Sequence, residues 1–251
     1  MKSIIPYLFI FFLSFHWNLT GQESSFQSGN EAYQKGEYQQ AIEEYEKALS
    51  GDKHSAELYY NLGNAYYKTN KIAPSIYYYE KALKLKPKDK DIRHNLALAN
   101  QMKLDKIEKV PDSFTQKVQK GIALIFNFNT WAIMTVIWSF IGLLAFSLFI
   151  FSKKTNIKRL GFSWMFISLF MLLFSWYFAG IAQKIENEKY GIIFVPQTEI
   201  LTEPNLSSEK IADLHEGTKV QVLKEENDWF YIELPDGKRA WIPKTDLKII
   251  D

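Results

Sequence analysis

Two stretches set the fold of this chain: Gly29-Asn30-Glu31-Ala32-Tyr33 and Gly63-Asn64-Ala65-Tyr66-Tyr67. The residues that follow each stretch also repeat, at a fixed offset of 34 positions: Ala41 with Ser75, Tyr45 with Tyr79, and Ala48 with Ala82. Small residues let helices approach closely, and aromatic rings fill the space that remains. The period therefore predicts stacked pairs of antiparallel helices.

This period, with small and aromatic residues at these offsets, resembles the tetratricopeptide repeat (TPR), a helical docking module. We expect two full repeats and a capping helix within residues 24–105. The repeated glycines should lie where helices approach closely and the repeated tyrosines between units, with turns at Gly36 and Asn70. Stacked repeats generally need about three units, so we expect support from the membrane domain or from a partner.

In the TPR family the first helix of each repeat lines a groove that holds partners. The resemblance places three sets of residues there, each on one helical face: Phe26, Asn30 and Tyr33; Tyr60, Asn61, Asn64 and Tyr67; His94, Asn95, Leu98 and Gln101. The asparagines could bond to a peptide backbone while the rings stack on it. The alternative is that Tyr60 and Tyr67 only pack between helices. Phe26 and Asp91 stand where carboxylate-binding repeats carry cations, so carboxylate capture is not expected.

Charge is strongly segregated along the chain. Residues 130–152 and 160–182 contain no charged side chain, and each stretch has the length that a membrane-spanning helix requires. Residues 111–185 carry seven Lys and Arg against one acidic residue, whereas residues 186–251 carry eight against fourteen. This pattern favours contact with anionic lipid headgroups and no nucleic-acid partner. The alternative is a pair of buried core helices.

Two observations predict the same topology. The loop Lys153–Arg159 holds four cations, which the positive-inside rule places in the cytoplasm. At the N-terminus, Lys2 and a short apolar run are typical of a signal peptide over residues 1–21, with an uncleaved anchor as the alternative. Both place the flanking domains on the far side of the membrane.

Residues 111–129 are expected to form a juxtamembrane amphipathic segment. Ser113 and Gln116 have the spacing of a helix-capping box, and apolar residues then recur on one face. A helix lying in the headgroup region and a linker helix continuing into the first span are both compatible with this pattern. Three aromatic residues are expected at the membrane–water interfaces: Trp131, Trp176 and Tyr177.

Residues 190–251 change to the alternation typical of strands, with turn residues between the runs. Short strands at this spacing predict a small β-barrel. The order Gly217-Thr218-Lys219-Val220, Asp228-Trp229-Phe230-Tyr231-Ile232 and Asp236–Pro243 resembles the bacterial SH3 (SH3b) domain. The resemblance implies binding of cell-wall peptides or protein segments.

Three aromatic residues are the candidate binding surface of this SH3b-like domain: Trp229, Tyr231 and Trp241. Large aromatic side chains are mostly buried, so burial in the core is the favoured alternative for the two tryptophans. The acidic balance of this segment argues against binding anionic wall polymers.

The sequence carries no recognisable chemistry. It has no cysteine, which excludes thiol nucleophiles, disulfides and thiolate metal sites. Its four histidines lie in separate segments, and no zinc-protease, phosphate-loop or serine-elbow motif occurs. We therefore expect a non-enzymatic protein with no catalytic residue, no metal site and no cofactor.

The sequence as a whole predicts a multidomain α and β protein: a signal peptide, a TPR solenoid, a two-helix transmembrane hairpin and an SH3b-like domain. This order resembles the BatE-type proteins of the bacterial aerotolerance operon. The resemblance implies an inner-membrane protein with periplasmic TPR and SH3b modules, beside von Willebrand factor A-domain membrane proteins and a MoxR-type ATPase. The expected function is a scaffold that docks proteins, and the alternative is binding or sensing of peptidoglycan.

Overall fold

The computed structural model describes residues 24–51 and 54–250, so the predicted signal peptide over residues 1–21 lies outside the described residues. The described residues divide into two compact units. The first combines residues 24–109 with residues 189–250, and the second comprises residues 110–188.

Helices form the N-terminal half of the first unit. Within the described residues they are α1 (residues 24–34), α2 (Tyr38–Ser50), α3 (Ala56–Lys68), α4 (Ile72–Leu85) and α5 (Lys90–Gln101). The two helix pairs and the additional fifth helix agree with the prediction. Gly36 and Asn70 turn the chain between paired helices with φ of 82° and 56°, in the left-handed region that glycine and asparagine tolerate best.

The predicted close approach of the helices at the repeated glycines is confirmed. A Cβ atom on Gly29 would lie 2.5 Å from the ring of Tyr45, and one on Gly63 would lie 2.6 Å from the ring of Tyr79. Each ring thus lies over the glycine backbone of its own repeat, whereas we expected it between repeats. The missing side chain makes room for the ring, which explains why both residues recur together.

Strands form the C-terminal half of the first unit. In the described residues they are β1 (Lys189–Ile193), β2 (Gln197–Leu201), β3 (Lys210–His215), β4 (Lys219–Glu226), β5 (Trp229–Glu233), β6 (Arg239–Pro243) and β7 (Leu247–Ile249). They form one antiparallel sheet in the order β3-β2-β6-β5-β4-β1-β7. The predicted barrel is therefore wrong in one respect, because the sheet is open. Irregular pairing at Ile200/Leu201 and Val222/Lys224 curves it without bringing its edges together.

This sheet packs directly on the TPR helices. The ring of Phe194, after β1, meets the ring of Tyr77 on α4 edge to face at 5.5 Å. Ile192 belongs to the same buried cluster as the helical core, and Lys219 pairs with Glu80 at 2.7 Å. The support that two repeats require thus comes from the SH3b-like half of the same unit.

A second connection between the two halves centres on Asp105, which follows α5. Its Oδ2 accepts hydrogen bonds of 2.7 Å from the His215 amide and the Thr218 hydroxyl, and its Oδ1 lies 2.8 Å from His215 Nδ1. Burial opposes ionisation of this carboxyl, but the hydrogen bonds prevail and lower the pKa of Asp105 below its ordinary 3.8. Sequence patterns did not predict this contact, because Asp105 and His215 are 110 positions apart along the chain.

The second unit contains α6 (Phe114–Ala123), α7 (Phe128–Phe151) and α8 (Thr155–Glu186). The predicted capping box is confirmed, because Ser113 and Gln116 exchange hydrogen bonds at the start of α6. The chain leaves the helix at Leu124 and a new cap forms at Asn127, so the alternative of one helix continuing into the first span is wrong.

Both α7 and α8 are long and apolar enough to cross a membrane, with windows of mean hydropathy 2.3 and 1.9. They pack through small residues: a Cβ on Gly142 would lie 3.0 Å from Ser168 Oγ, and Thr135 donates to Ser175 at 3.0 Å. The connection is shorter than expected. Residues 152–154 form it, while Lys158 and Arg159 already lie in the first turns of α8.

The three aromatic residues predicted at the membrane interfaces divide into two groups. Trp176 and Tyr177 are exposed, as expected of residues at a membrane interface. Trp131 is buried, so its predicted exposure to the interface is wrong. Its indole N–H donates to the Ala123 carbonyl at 3.0 Å and its ring packs on Phe178, which fixes the end of α6 to the hairpin.

The contact between Gly63 and Tyr79 yields a first prediction. Alanine ordinarily stabilises a helix relative to glycine, but here its methyl group would meet a ring that is 1% exposed and cannot move aside. We expect Gly63→Ala to lower the free energy of unfolding by about 1–3 kcal/mol. Gly121→Ala is the matched control, because a Cβ at that helical glycine meets nothing within 4 Å. Chemical denaturation followed by circular dichroism measures both; equal stability of the two variants would contradict the close contact.

The Asp105 connection yields a second prediction. Asp105→Ala leaves the His215 amide without its acceptor, so we expect faster hydrogen exchange at that amide and a loss of about 1–3 kcal/mol in stability. Glu108→Gln, an exposed acid in the same segment, should change neither. Because folding lowers the pKa of Asp105, its stabilisation is complete above the ordinary pKa of 3.8 and is lost as pH falls through the folded value. A stability that does not depend on Asp105 in this acidic range would rule out the connection.

Candidate functional site

The predicted groove contains a repeating network of asparagine and tyrosine side chains. In the first repeat, Asn30 Oδ1 accepts hydrogen bonds from the Tyr45 hydroxyl at 2.8 Å and from Asn61 Nδ2 at 2.9 Å. In the second, Asn64 Oδ1 accepts from the Tyr79 hydroxyl at 2.6 Å and from Asn95 Nδ2 at 2.8 Å. The 34-residue period of the sequence is thus also the period of the hydrogen bonds across the groove.

The tyrosines can act as donors at any physiological pH. Burial, the largest influence, raises the pKa of Tyr45 to about 12 and also raises the pKa of Tyr79. Both hydroxyls therefore stay protonated and hold the two asparagine oxygens in a fixed orientation.

The network leaves the opposite ends of the amides available. Among the described residues, the NH₂ groups of Asn30 and Asn64 have no acceptor, and the Oδ1 atoms of Asn61 and Asn95 have no donor. None of these atoms is a buried unsatisfied group, so they are open to solvent. Paired donors and acceptors of this kind complement the N–H and C=O groups of an extended peptide.

A pocket of about 270 Å³ lies over the first of these networks. Its lining contains four of the predicted groove residues and two that the prediction did not include: Asn30, Tyr33, Asn61 and Asn64, with Gln34 and Tyr45. Gln34 follows Asn30 by four positions on one helical face, so the helical period contained the signal that would have found it. Tyr45 was assigned only a packing role.

The other predicted residues lie further along the groove helices. Asn95 donates to the Tyr60 hydroxyl at 2.9 Å, and both Tyr60 and Tyr67 pack against the core while remaining partly exposed. On α5, Leu98 is half-buried, and His94 and Gln101 are exposed. Both tyrosines therefore pack between the helices, and their contact with a partner stays a prediction.

The predicted position of Phe26 in the groove is wrong. Its side chain is 8% exposed and its ring centroid lies 6.0 Å from that of Tyr45, within the helical core. An apolar ring next to the Gly29–Tyr45 contact gains more from burial than from exposure in a groove. Phe26 thus stabilises the wall behind the pocket.

The SH3b-like sheet carries a separate aromatic surface. Phe230, Ile232, Ala240 and Ile242 point into the core, so Trp229, Tyr231 and Trp241 lie on the opposite face, each half-buried. The favoured core placement of the two tryptophans is therefore wrong. Tyr231 and Trp241 are cross-strand partners with ring centroids 4.9 Å apart, and Lys224 lies 5.9 Å from the Trp241 ring. This surface, Trp229, Tyr231 and Trp241, is called the aromatic face below.

The described residues contain no group of three or more histidine or carboxylate side chains arranged to hold a metal ion. The pairing of His215 with Asp105 has the distance of a catalytic dyad, but Thr218 donates to the carboxylate and not to the imidazole. The arrangement therefore connects the two halves of the unit and shows no activated nucleophile.

Comparison with known families agrees with both halves of the first unit. A family model described as TPR repeat matches residues 29–70, and one described as tetratricopeptide repeat matches residues 56–89. A model described as bacterial SH3 domain matches residues 198–248. The chain therefore contains TPR repeats and a bacterial SH3 domain, two modules that are typically non-catalytic.

Among solved structures, the crystal structure of an NlpC/P60 family protein from Bacillus cereus ATCC 10987 matches with 21% sequence identity. The match covers 27% of this chain and 22% of that protein, with a TM-score of 0.22, which is too low to indicate a shared overall fold. No curated protein matches the chain.

Proposed function

We propose that this protein is a non-enzymatic, membrane-anchored scaffold that docks an extended segment of a partner protein in the TPR groove. The observation that carries the proposal is the asparagine–tyrosine network. Its internal bonds fix each amide, and three of its four asparagines line a pocket of about 270 Å³: Asn30, Asn61 and Asn64. A site held rigid before binding loses little entropy when a partner is ordered on it.

The hairpin of α7 and α8 serves as the anchor in this proposal. Many apolar side chains of both helices are exposed, which is costly in water and favourable in lipid. Two spans return the chain to the side on which it started, which suits a unit built from residues on both sides of the hairpin. The cations at the connection favour a cytoplasmic turn and hence a periplasmic TPR–SH3b unit.

The partner assignment rests on the resemblance to BatE-type proteins. That resemblance indicates an inner-membrane complex for aerotolerance, with von Willebrand factor A-domain membrane proteins as the docked partners beside a MoxR-type ATPase. Anchoring in the same membrane raises the effective concentration of such partners, so that a weak groove contact suffices.

The groove can be tested by isosteric substitutions, which form the third prediction. Asn30→Asp with Asn64→Asp keeps the oxygens that accept from tyrosine and asparagine, and removes the NH₂ donors that face a partner. We expect the loss of two hydrogen bonds to weaken partner binding by about tenfold or more. Binding is measured as the amount of A-domain protein recovered with each variant from solubilised membranes.

Asn100→Asp is the matched control for that experiment. Asn100 lies five positions after Asn95 on α5, about 140° around the helix, and bonds to the Leu96 carbonyl. This variant should recover partners as the wild type does. Equal recovery by all three proteins would refute docking through the asparagines.

A second candidate function is contact with peptidoglycan through the aromatic face. The half-buried pairing of Tyr231 with Trp241 on the outer face of the sheet favours it, because ring faces on a sheet surface can stack on flat apolar parts of sugars and peptides. Binding here would be compatible with docking in the groove, since the two surfaces lie on different modules.

Co-sedimentation with purified peptidoglycan tests this candidate and gives the fourth prediction. The full chain in detergent should sediment with the wall, and Trp241→Ala should lower the bound fraction severalfold by removing one stacking surface. Leu206→Ala, which shortens an exposed apolar side chain in the same domain, should leave binding unchanged. Absence of wild-type co-sedimentation would eliminate the wall-binding candidate.

A further inference from the structure

The hairpin contains an apolar groove that packing of the two helices does not fill. Its volume is about 340 Å³, within the range of small ligand sites, and its lining is almost entirely carbon. The lining residues share one stripe on each helix: Ile141, Leu144, Ala145 and Leu148 on α7, with Leu160, Gly161 and Trp164 on α8.

Small residues create this groove. At Gly161 the helices approach so closely that a Cβ atom would lie 2.8 Å from the Ala145 carbonyl oxygen. The larger side chains of Leu144, Leu160 and Trp164 remain substantially exposed around this close contact. The result is a narrow apolar channel with an open side.

The groove has the depth of one leaflet of a bilayer at its far end. Ile141 lies ten residues before Phe151, the last residue of α7, which corresponds to about 15 Å along the helix. This is about half of the 30 Å hydrocarbon thickness of a typical membrane. The lining on α7 itself, from Ile141 to Leu148, covers about 10 Å, which is enough for part of one acyl chain that enters from the turn of the hairpin.

Unpaired cations surround the same end. Lys153, Lys154, Lys158 and Arg159 are exposed, and none of them has an acidic partner among the described residues. Trp164, one turn beyond Leu160, lines the deeper part of the groove, further from the turn than the four cations. Positive charge thus lies where the phosphate of a lipid with its chain in the groove would be.

From this juxtaposition we infer that the hairpin holds an anionic phospholipid, with an acyl chain in the groove and its headgroup phosphate at the four cations. The inference rests on the membrane anchoring in the proposed function and adds a specific ligand to it. Neither part suffices alone: cations attract any anionic surface, and an apolar groove accepts any lipid chain. Their combination selects a lipid by headgroup charge and retains it by its chain.

Native mass spectrometry of the full chain in mild detergent tests the inference and provides the fifth prediction. Phosphatidylglycerol and phosphatidylcholine with identical acyl chains are titrated separately, and the fraction of protein with bound lipid is counted. We expect tighter binding of phosphatidylglycerol. Lys158→Gln with Arg159→Gln should weaken that binding about tenfold or more, with little effect on phosphatidylcholine.

Matched variants distinguish a specific lipid site from the general attraction of cations to anionic lipids. Lys117→Gln with Lys184→Gln removes two exposed cations elsewhere in the second unit and should leave the preference intact. Leu144→Trp should block the groove, whereas Leu143→Trp should not, since the two leucines are 63% and 62% exposed but only Leu144 lines it. Equal effects of the two cation pairs, equal effects of the two tryptophans, or no preference between lipids would overturn the inference.

Two further measurements distinguish failure of the lipid site from failure of the membrane anchoring. If Leu144→Trp changes the number of chains per particle and not the number of lipids, the groove is an interface between copies and the inference is wrong. Alkaline extraction of membranes tests anchoring by itself: an extracted chain would refute the anchored scaffold. A chain that resists extraction without preferring phosphatidylglycerol would refute only the lipid site.

Discussion

The contact between a helical glycine and a tyrosine ring is the constraint on which the rest of the helical half depends. At Gly29 and Gly63 the absence of a side chain lets the ring of Tyr45 or Tyr79 lie against the opposite helix. The ring position fixes the hydroxyl, the hydroxyl fixes an asparagine oxygen, and the asparagine then presents its NH₂ group to the groove. Core packing and the proposed recognition site are therefore parts of one repeated arrangement, and a change at the glycine would be transmitted to the surface.

Two repeats expose too much apolar surface to be stable alone, and the structure shows how this chain covers it. The fifth helix closes one side, and the sheet covers α4 through Ile192 and Phe194. Asp105 adds a polar connection, because its carboxyl oxygens accept from an amide and a hydroxyl and pair with an imidazole. What the sequence presents as two modules is one folded unit, so the groove and the aromatic face keep a fixed spatial relation.

The sequence predicts the features that depend on local periodicity, and it fails where distant packing decides. The helix pairs, the turn at Asn70 and the apolar helices follow from spacing within one or two turns, as do most of the residues around the pocket. Trp229, Phe230 and Tyr231 are all aromatic, so the tendency of large rings to be buried could not say which of them faces inward. Phe230 is inside because it shares a phase with Ile232, and its cross-strand partner Ile242 is buried too. The open sheet and the Asp105 contact depend on residues far apart, and the signal peptide stays a prediction.

The division of the first unit into two segments has a consequence for its biogenesis. Ile250 packs against the helical core, yet the ribosome makes it only after both apolar helices have been synthesised. In the anchored scaffold proposed above, α4 would stay uncovered until the hairpin is inserted and the final strands emerge on the same side of the membrane. Coverage of α4 would then depend on correct insertion, since a hairpin inserted in the wrong arrangement would leave the sheet and the repeats on opposite sides of the membrane.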